Sequence, residues 1–309
     1  MKYCVLYNKD FKYNDIVDEV IYSASVDIID IVNIVEKIKS GNWKDEQRIV
    51  IDISFLEQMV YMPEKIIPML QMCKREHDNL VVRIPFSHRI KKDLQDAGIP
   101  FFYRDYAKTP DEVYAFIKEG VTDVYIVENL GFSISKIGQY CRDNNVKVRV
   151  IPNIAQYPVG TKDIIPDPCK FFIRPEDTHA YEDYCDIFEL ISDDTMALDA
   201  LFEVYKNKVW KGDLSILIRG LEDSFRNGSM NPAFGSMRAG CNHKCMYGKC
   251  KFCIDAQELA EMFARNKLQI TRAIDKNNKE WKNETKSYKE AMRVVEGTAP
   301  ESSTEVSEG

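Results

Sequence analysis

The sequence lacks several signals that would assign it quickly to a familiar class. No run of about 18 apolar residues occurs, which argues against a membrane-spanning helix. The first residues lack the apolar stretch and small-residue cleavage site of a secretory leader, so we expect a cytoplasmic protein. Histidine is scarce, at four residues, and neither an H-E-x-x-H helix nor a Ser-His-Asp signature is present. The sequence therefore gives no indication of those two hydrolytic mechanisms.

Two cofactor signatures are also missing. No glycine-rich phosphate loop follows any β-rich run, so a dinucleotide-binding domain lacks its fingerprint. The C-x3-C-x2-C pattern of radical-SAM enzymes is absent too. Neither chemistry is expected here.

The composition is that of a globular protein, with 45% hydrophobic and 29% charged residues. Nine cysteines are an odd number, and five of them lie scattered in apolar segments, so a reducing compartment fits better than a disulfide framework. The net charge is −7, but residues 238–293 carry an excess of Lys and Arg. Bulk charge argues against nucleic-acid binding by the whole chain and leaves binding by the basic segment open.

Short β-rich runs alternate with helix-length segments, which predicts an α/β fold. The predicted strands span residues 19–23, 48–54, 80–84, 100–104, 123–127, 146–152, 170–174 and 186–190. Eight units of this kind favour a closed (β/α)8 TIM-like barrel over the alternative, an open doubly wound sheet. Residues 3–7 are expected to form an extra strand or a plug at one end of the barrel.

Composition changes along the chain predict its organisation. Thr109 and Pro110 form a typical helix start, because a hydroxyl that can cap the helix precedes proline at its first position. The expected parts are a barrel over 1–207, a helix and a small Cys-rich metal module over 208–270, a charged helical extension over 271–295 and a disordered tail over 296–309.

The sharpest chemical signal is a cysteine cluster after the barrel. Cys241, Cys245, Cys250 and Cys253 follow a C-x3-C-x4-C-x2-C spacing within 13 residues. Four thiols this close together in a reducing compartment predict a single metal centre. Zinc sites usually use two cysteine pairs separated by a dozen or more residues, whereas a compact run suits an iron–sulfur cluster. The spacing therefore favours an iron–sulfur cluster, such as 4Fe-4S, with zinc as the alternative.

A second candidate site is the end of the barrel where the strands finish, because chemistry in this fold sits there. Arg83 and Arg174 stand at or next to strand ends and are suited to clamp a carboxylate or phosphate. Glu128 or Asp52 is a candidate general base, and Asn153 is a further polar residue at this end. We predict that Arg83, Arg174 and Glu128 face one cavity. The alternative is that these residues are ion-paired with one another and serve the fold.

Three stretches resemble the U32 peptidase family in their barrel rhythm, and later cysteines add to the likeness. They are Val121–Asn129, Val148–Gln156 and Phe172–Glu189. The resemblance implies a barrel, an iron–sulfur cluster and a link to RNA, because several members of that family carry clusters and act in RNA hydroxylation. The cysteines of this chain are bunched after the barrel rather than spread out, so no catalytic residue is carried over.

Two hypotheses about function follow. In the first, the chain is an enzyme whose barrel mouth acts on an anionic small molecule, a nucleotide or RNA. In the second, it is a non-catalytic zinc-binding or scaffold protein that recognises nucleic acid or a protein partner.

Overall fold

The fold is that of a computed structural model. It describes residues 2–221 except for 9, 15, 25–27, 42, 55–61, 108, 128–133, 156–170 and 193–195. The predicted four-cysteine module, charged extension and tail lie outside the described residues.

All strand pairings in the described chain are parallel, and they join nine strands into one sheet. The strands are β1 (Lys2–Leu6), β2 (Glu19–Ser23), β3 (Arg48–Asp52), β4 (Leu80–Ile84), β5 (Phe101–Tyr103), β6 (Tyr106–Ala107), β7 (Asp123–Ile126), β8 (Lys147–Val150) and β9 (Ile187–Leu190). Most of their residues are buried and apolar, as expected for parallel strands covered on both faces.

The sheet forms a nearly closed barrel. Its order is β5-β4-β3-β2-β1-β9-β8-β7-β6, so β5 and β6 stand at its two ends. Only Arg104 and Asp105 separate those two strands in the chain, and the two ends therefore meet in one stretch of backbone. The predicted α/β barrel is confirmed, and the short strands β5 and β6 together occupy one of its eight strand positions.

One strand of the sequence prediction is wrong. Residues 171–174 of the predicted strand 170–174 are buried but hold no place in the sheet order. Pro175 follows them, lacks an N–H to donate to a strand ladder, and begins a 3₁₀ helix. The missing position is taken by β1, which pairs with both β2 and β9. The N-terminal segment is thus a strand within the barrel and not a plug.

Helices follow most strands. They are α1 (Ile28–Ser40), α2 (Pro63–Glu76), α3 (Lys91–Asp96), α4 (Pro110–Lys118), α5 (Ile134–Asp143), α6 (Leu198–Asn207) and α7 (Leu214–Leu217). The predicted start of α4 is confirmed, because Glu112 N donates to Thr109 Oγ1 at 3.1 Å. Among the described residues, none of the helices has the length and apolarity needed to cross a bilayer.

Candidate active site at the C-terminal end of the barrel

The barrel interior is occupied by charged side chains. Alternate residues of the strands point inward, and at these positions three arginines and four acidic residues contact one another across the barrel. In order from the C-terminal end, the chain of ion pairs contains Asp52, Arg83, Glu189, Arg149, Glu19, Arg48 and Asp123. All seven are buried, and we call them the interior ladder. Paired charges replace the apolar layers that usually fill such barrels.

Arg83 is the centre of the upper part of the ladder. Its Nη2 donates to Asp52 Oδ2 at 2.6 Å, and its Nη1 donates to Glu189 Oε1 at 2.9 Å and to Tyr125 Oη at 2.9 Å. Tyr125 in turn donates to Glu189 Oε2. Arg83 Nε has no hydrogen-bond partner among the described residues. Arg83 therefore holds two carboxylates in place and keeps one donor unused.

The lower part of the ladder depends on the other two arginines. Arg48 binds Asp123 through both oxygens, at 2.7 and 2.5 Å, and reaches Glu19 Oε2 at 3.3 Å. Arg149 is fully buried and donates to the second oxygen of Glu19. Its guanidinium also lies 4.6 Å from the centre of the Phe102 ring. Such a contact with an aromatic face stabilises a desolvated cation.

Three carboxylates of the ladder, those of Glu19, Asp52 and Asp123, stay ionised because of these pairs. Burial by itself would raise the pKa of Glu19, Asp52 and Asp123. The neighbouring arginines outweigh burial and hold each of these pKa values below its ordinary range. For Tyr125, burial and then the charge of Glu189 raise the pKa, and the nearby Arg149 and Arg83 only partly offset this rise. Tyr125 is thus a neutral hydrogen-bond donor.

A cavity of about 780 Å³ opens above this ladder at the C-terminal ends of the strands. Its floor contains Arg83 and Glu189, which are 8% and 5% exposed. Its described wall is mostly apolar: Leu6, Leu190, Ile191, Ala197 and Leu198. We call this the mouth cavity. A polar floor beneath apolar walls is the usual character of a small-molecule site.

Two cavity-lining residues, Tyr7 and Lys37, add specific chemistry to the mouth. The Tyr7 ring stacks on Tyr22 with 4.5 Å between ring centres. Lys37 of α1 places its Nζ 5.5 Å from the centre of the Tyr7 ring. No carboxylate of the described chain lies within 4.0 Å of this ammonium group. The mouth therefore offers a cation that is available to an anionic ligand.

The structure brings together only some of the residues chosen from the sequence. Asp52 and Arg83 are ion-paired inside the barrel, and Arg83 lines the mouth cavity. The side chain of Asn153 instead joins two strand ends: its Nδ2 donates to Ile191 O at 2.6 Å, and Ile191 N donates back to its Oδ1 at 3.1 Å. Asn153 thus fixes the end of β9, and the ladder does not include it.

Arg174 has a different environment from Arg83. Its Nε and Nη2 donate to the two oxygens of Asp177 at 2.5 and 2.8 Å, and both residues are buried at the start of the 3₁₀ helix. Arg174 is not among the described residues that line the mouth cavity. Glu128 lies outside the described residues, so the predicted meeting of Arg83, Arg174 and Glu128 in one cavity stays a prediction.

The candidate metal ligands Cys241, Cys245, Cys250 and Cys253 also lie outside the described residues. Within the described part of the chain, no group of three or more His, Cys, Asp or Glu side chains has a metal-binding arrangement. The described cysteines, Cys4, Cys73, Cys141 and Cys185, are free and buried, and burial raises the pKa of each thiol. These four behave as core residues.

Comparison with known proteins gives a limited result. No family model and no curated protein matches the chain. Among solved structures, the U32 peptidase Mk0906 is 12% identical, with a TM-score of 0.38 over 63% of this chain and 94% of that protein. Tryptophan synthase of Mycobacterium tuberculosis is 10% identical, with a TM-score of 0.39 over 77% of this chain and 91% of that one. The chain thus bears a weak, partial resemblance to a U32 peptidase structure, as its sequence indicated.

Proposed function

We propose that this chain is an enzyme that acts on an anionic small molecule, for example a nucleotide, bound in the mouth cavity. The observation that carries the proposal is the composition of that cavity. One space of about 780 Å³ is bordered by a buried Arg83–Glu189 pair and by Lys37, whose ammonium group forms no ion pair with a described residue. The position also fits, because barrels of this type place their chemistry at the C-terminal ends of the strands.

Each residue has a definite part in this proposal. Lys37 and the unused Nε–H of Arg83 attract the anionic group of the ligand. Glu189 is the carboxylate in the floor of the cavity and accepts a proton or hydrogen bond from the ligand. Tyr125 and Arg83 fix the two oxygens of Glu189. Asp52, which accepts from Ser54 N at 3.0 Å, fixes Arg83 from the other side.

Lys37 gives the cleanest test of this site, because replacing Arg83 would leave the buried Asp52 without its partner and Glu189 with only the more distant Arg149. We expect Lys37→Gln to weaken binding of malonate, inorganic phosphate or adenosine monophosphate about fivefold, as for loss of one partly exposed ion pair. Titration calorimetry at low salt measures this. Lys39→Gln, also exposed on α1 but not lining the cavity, is the matched control. Equal affinities of wild type and Lys37→Gln for these ligands would show that the ligands do not bind in the mouth cavity.

The second part of the proposal is the cofactor. Cys241, Cys245, Cys250 and Cys253 bind one iron–sulfur cluster, which supplies electrons or stabilises the segment around it. The support is the cysteine spacing and the soft thiolate donors, which suit iron–sulfur or zinc. The same proposal includes binding of RNA, which the basic excess in residues 238–293 supports.

The cofactor is tested on full-length protein purified without oxygen. We expect brown protein that absorbs at about 400 nm and contains iron and sulfide. We expect Cys250→Ser to release the metal because each thiolate is a ligand. His243→Ala, in the same segment, is the matched control and should keep its metal. Colourless protein with stoichiometric zinc would instead favour the non-catalytic binding protein. Metal content unchanged by every single Cys→Ser substitution would exclude the site.

A further inference from the structure

A second cavity, of about 440 Å³, lies at the opposite end of the barrel, where the strands begin. The first residues of β3 and β8, Arg48 and Lys147, line it. The loops before β4, β7 and β8 complete it, and they contribute the polar residues Asp78, Asn79, Thr122, Asn144 and Asn145. We call it the basal cavity. It is separate from the mouth cavity, and the proposed function uses none of these residues.

The two cations of the basal cavity differ in their pairing. Arg48 is neutralised by Asp123 and Glu19. Lys147 is half-buried, and within the described chain its Nζ has no hydrogen-bond acceptor and no carboxylate within 4.0 Å. Burial and then the charge of Arg48 lower the pKa of Lys147, and the more distant Asp123 and Glu19 only partly offset this. Lys147 is therefore a partly desolvated amine with no counter-ion among the described residues, which is an unfavourable state for the protein alone.

The acidic residue that lines the cavity does not supply that counter-ion. Asp78 is exposed, and its carboxylate forms no ion pair with a described residue. Only its backbone oxygen is engaged, by Lys74 Nζ at 3.1 Å. By contrast, the side-chain amide of Asn145 has no partner among the described residues and is available as a donor. The cavity thus contains two donor groups without a partner among the described residues, the Lys147 ammonium and the Asn145 amide, beside the exposed carboxylate of Asp78.

We infer that the basal cavity binds an oxyanion, namely the phosphate or carboxylate group of a small molecule. Lys147 supplies the charge that is not already neutralised, Asn145 contributes an amide donor, and the ion-paired guanidinium of Arg48 borders the cavity. The cavity is large enough for a metabolite and not only for an inorganic ion, since small-molecule sites begin at about 300 Å³. This inference does not depend on the proposed function at the mouth.

The test is titration calorimetry of the full chain at low ionic strength with two separate probes, inorganic phosphate and malonate. We expect Lys147→Gln to weaken binding of at least one probe about tenfold, as for loss of a charge-assisted hydrogen bond. Lys147→Arg should retain binding. The control is Lys65→Gln, which should bind the probes as wild type does, because Lys65 is an exposed residue of α2 that lines neither cavity. Binding of phosphate alone or malonate alone supports the inference and identifies the class of ligand.

The controls separate this site from the mouth and from a folding defect. Lys37→Gln should leave the binding event that is sensitive to Lys147 unchanged. Without an anion, Lys147→Gln should unfold at the same temperature as wild type or higher, because it removes an unpaired charge. Equal affinity of both probes for wild type and Lys147→Gln, or no binding of either probe to wild type, would overturn the inference.

Discussion

Replacing Arg149 with methionine should lower the free energy of unfolding by about 3–5 kcal/mol, the range measured when one partner of a buried ion pair is removed. Arg149 is fully buried, donates to Glu19 and lies 3.7 Å from Glu189 Oε2 and 3.9 Å from Asp123 Oδ1. Methionine keeps most of the volume but leaves four buried acidic residues with two arginines. The cost is therefore chiefly electrostatic.

Urea denaturation of the variant at neutral pH measures this effect. Arg89→Met is the matched control, because Arg89 is exposed, and its cost should stay within about 0.5 kcal/mol. Adding Glu19→Gln to the Arg149→Met variant should recover part of the loss, since it removes one uncompensated carboxylate. If Arg149→Met were as stable as Arg89→Met, the ladder would not be important for the stability of the barrel.

Acid should destabilise the barrel by protonating carboxylates of the interior ladder. The pKa values of Glu19, Asp52 and Asp123 are lower in the folded protein than in an unfolded chain, so the folded state binds fewer protons. Their contribution to stability is then complete above the unfolded values, which lie near 4, and is lost as the pH falls through the lower folded values. We expect the free energy of unfolding to decrease steadily below about pH 5.

The pH dependence is measured by urea denaturation across a series of buffers from neutral to acidic pH. Asp123→Asn keeps the shape of the side chain but cannot change its charge, so this variant should be less stable at neutral pH and show a smaller loss in acid. The control is Asp199→Asn, whose stability profile should follow that of wild type. Asp199 is half-exposed, and its ion pair with Lys12 has a distance of 3.7 Å. A stability profile that is flat down to pH 3 would contradict ionised carboxylates in the interior.

Much of the barrel follows from its strand pattern, because buried parallel strands produce nearly continuous apolar runs. The one wrong strand, and the choice between strand and plug that the sequence left open for the N-terminal segment, have physical causes. The run 170–174 is as apolar as a strand but is followed by Pro175, whereas residues 2–6 gain their place only by pairing with β9, far away in the chain. Pairing between distant segments leaves no local signal in a single sequence.

The candidate site, like the barrel, could be predicted only in part from the sequence. Arg83 and Asp52 could be chosen because they lie at the ends of strands that meet on one edge of the sheet. The choice of Arg174 depended on the strand that is absent from the sheet, and Asn153 bonds to the backbone of Ile191. The ladder itself has a sequence signal, a charged residue within each of several apolar strands, for example Arg149 in β8 and Glu189 in β9. Which charges pair depends on how the barrel closes, and a strand pattern does not contain that information.

The most direct test of the proposed function is a crystal structure of the full chain, prepared without oxygen and soaked with adenosine monophosphate or malonate. We predict that the anionic group of the ligand lies in the mouth cavity, within hydrogen-bond distance of Lys37 Nζ or Arg83 Nε, with the rest of the ligand against the wall formed by Leu6 and Leu198. Glu189 should face the ligand and keep its bonds to Arg83 and Tyr125. A ligand bound elsewhere while the mouth cavity holds only water would contradict the proposal.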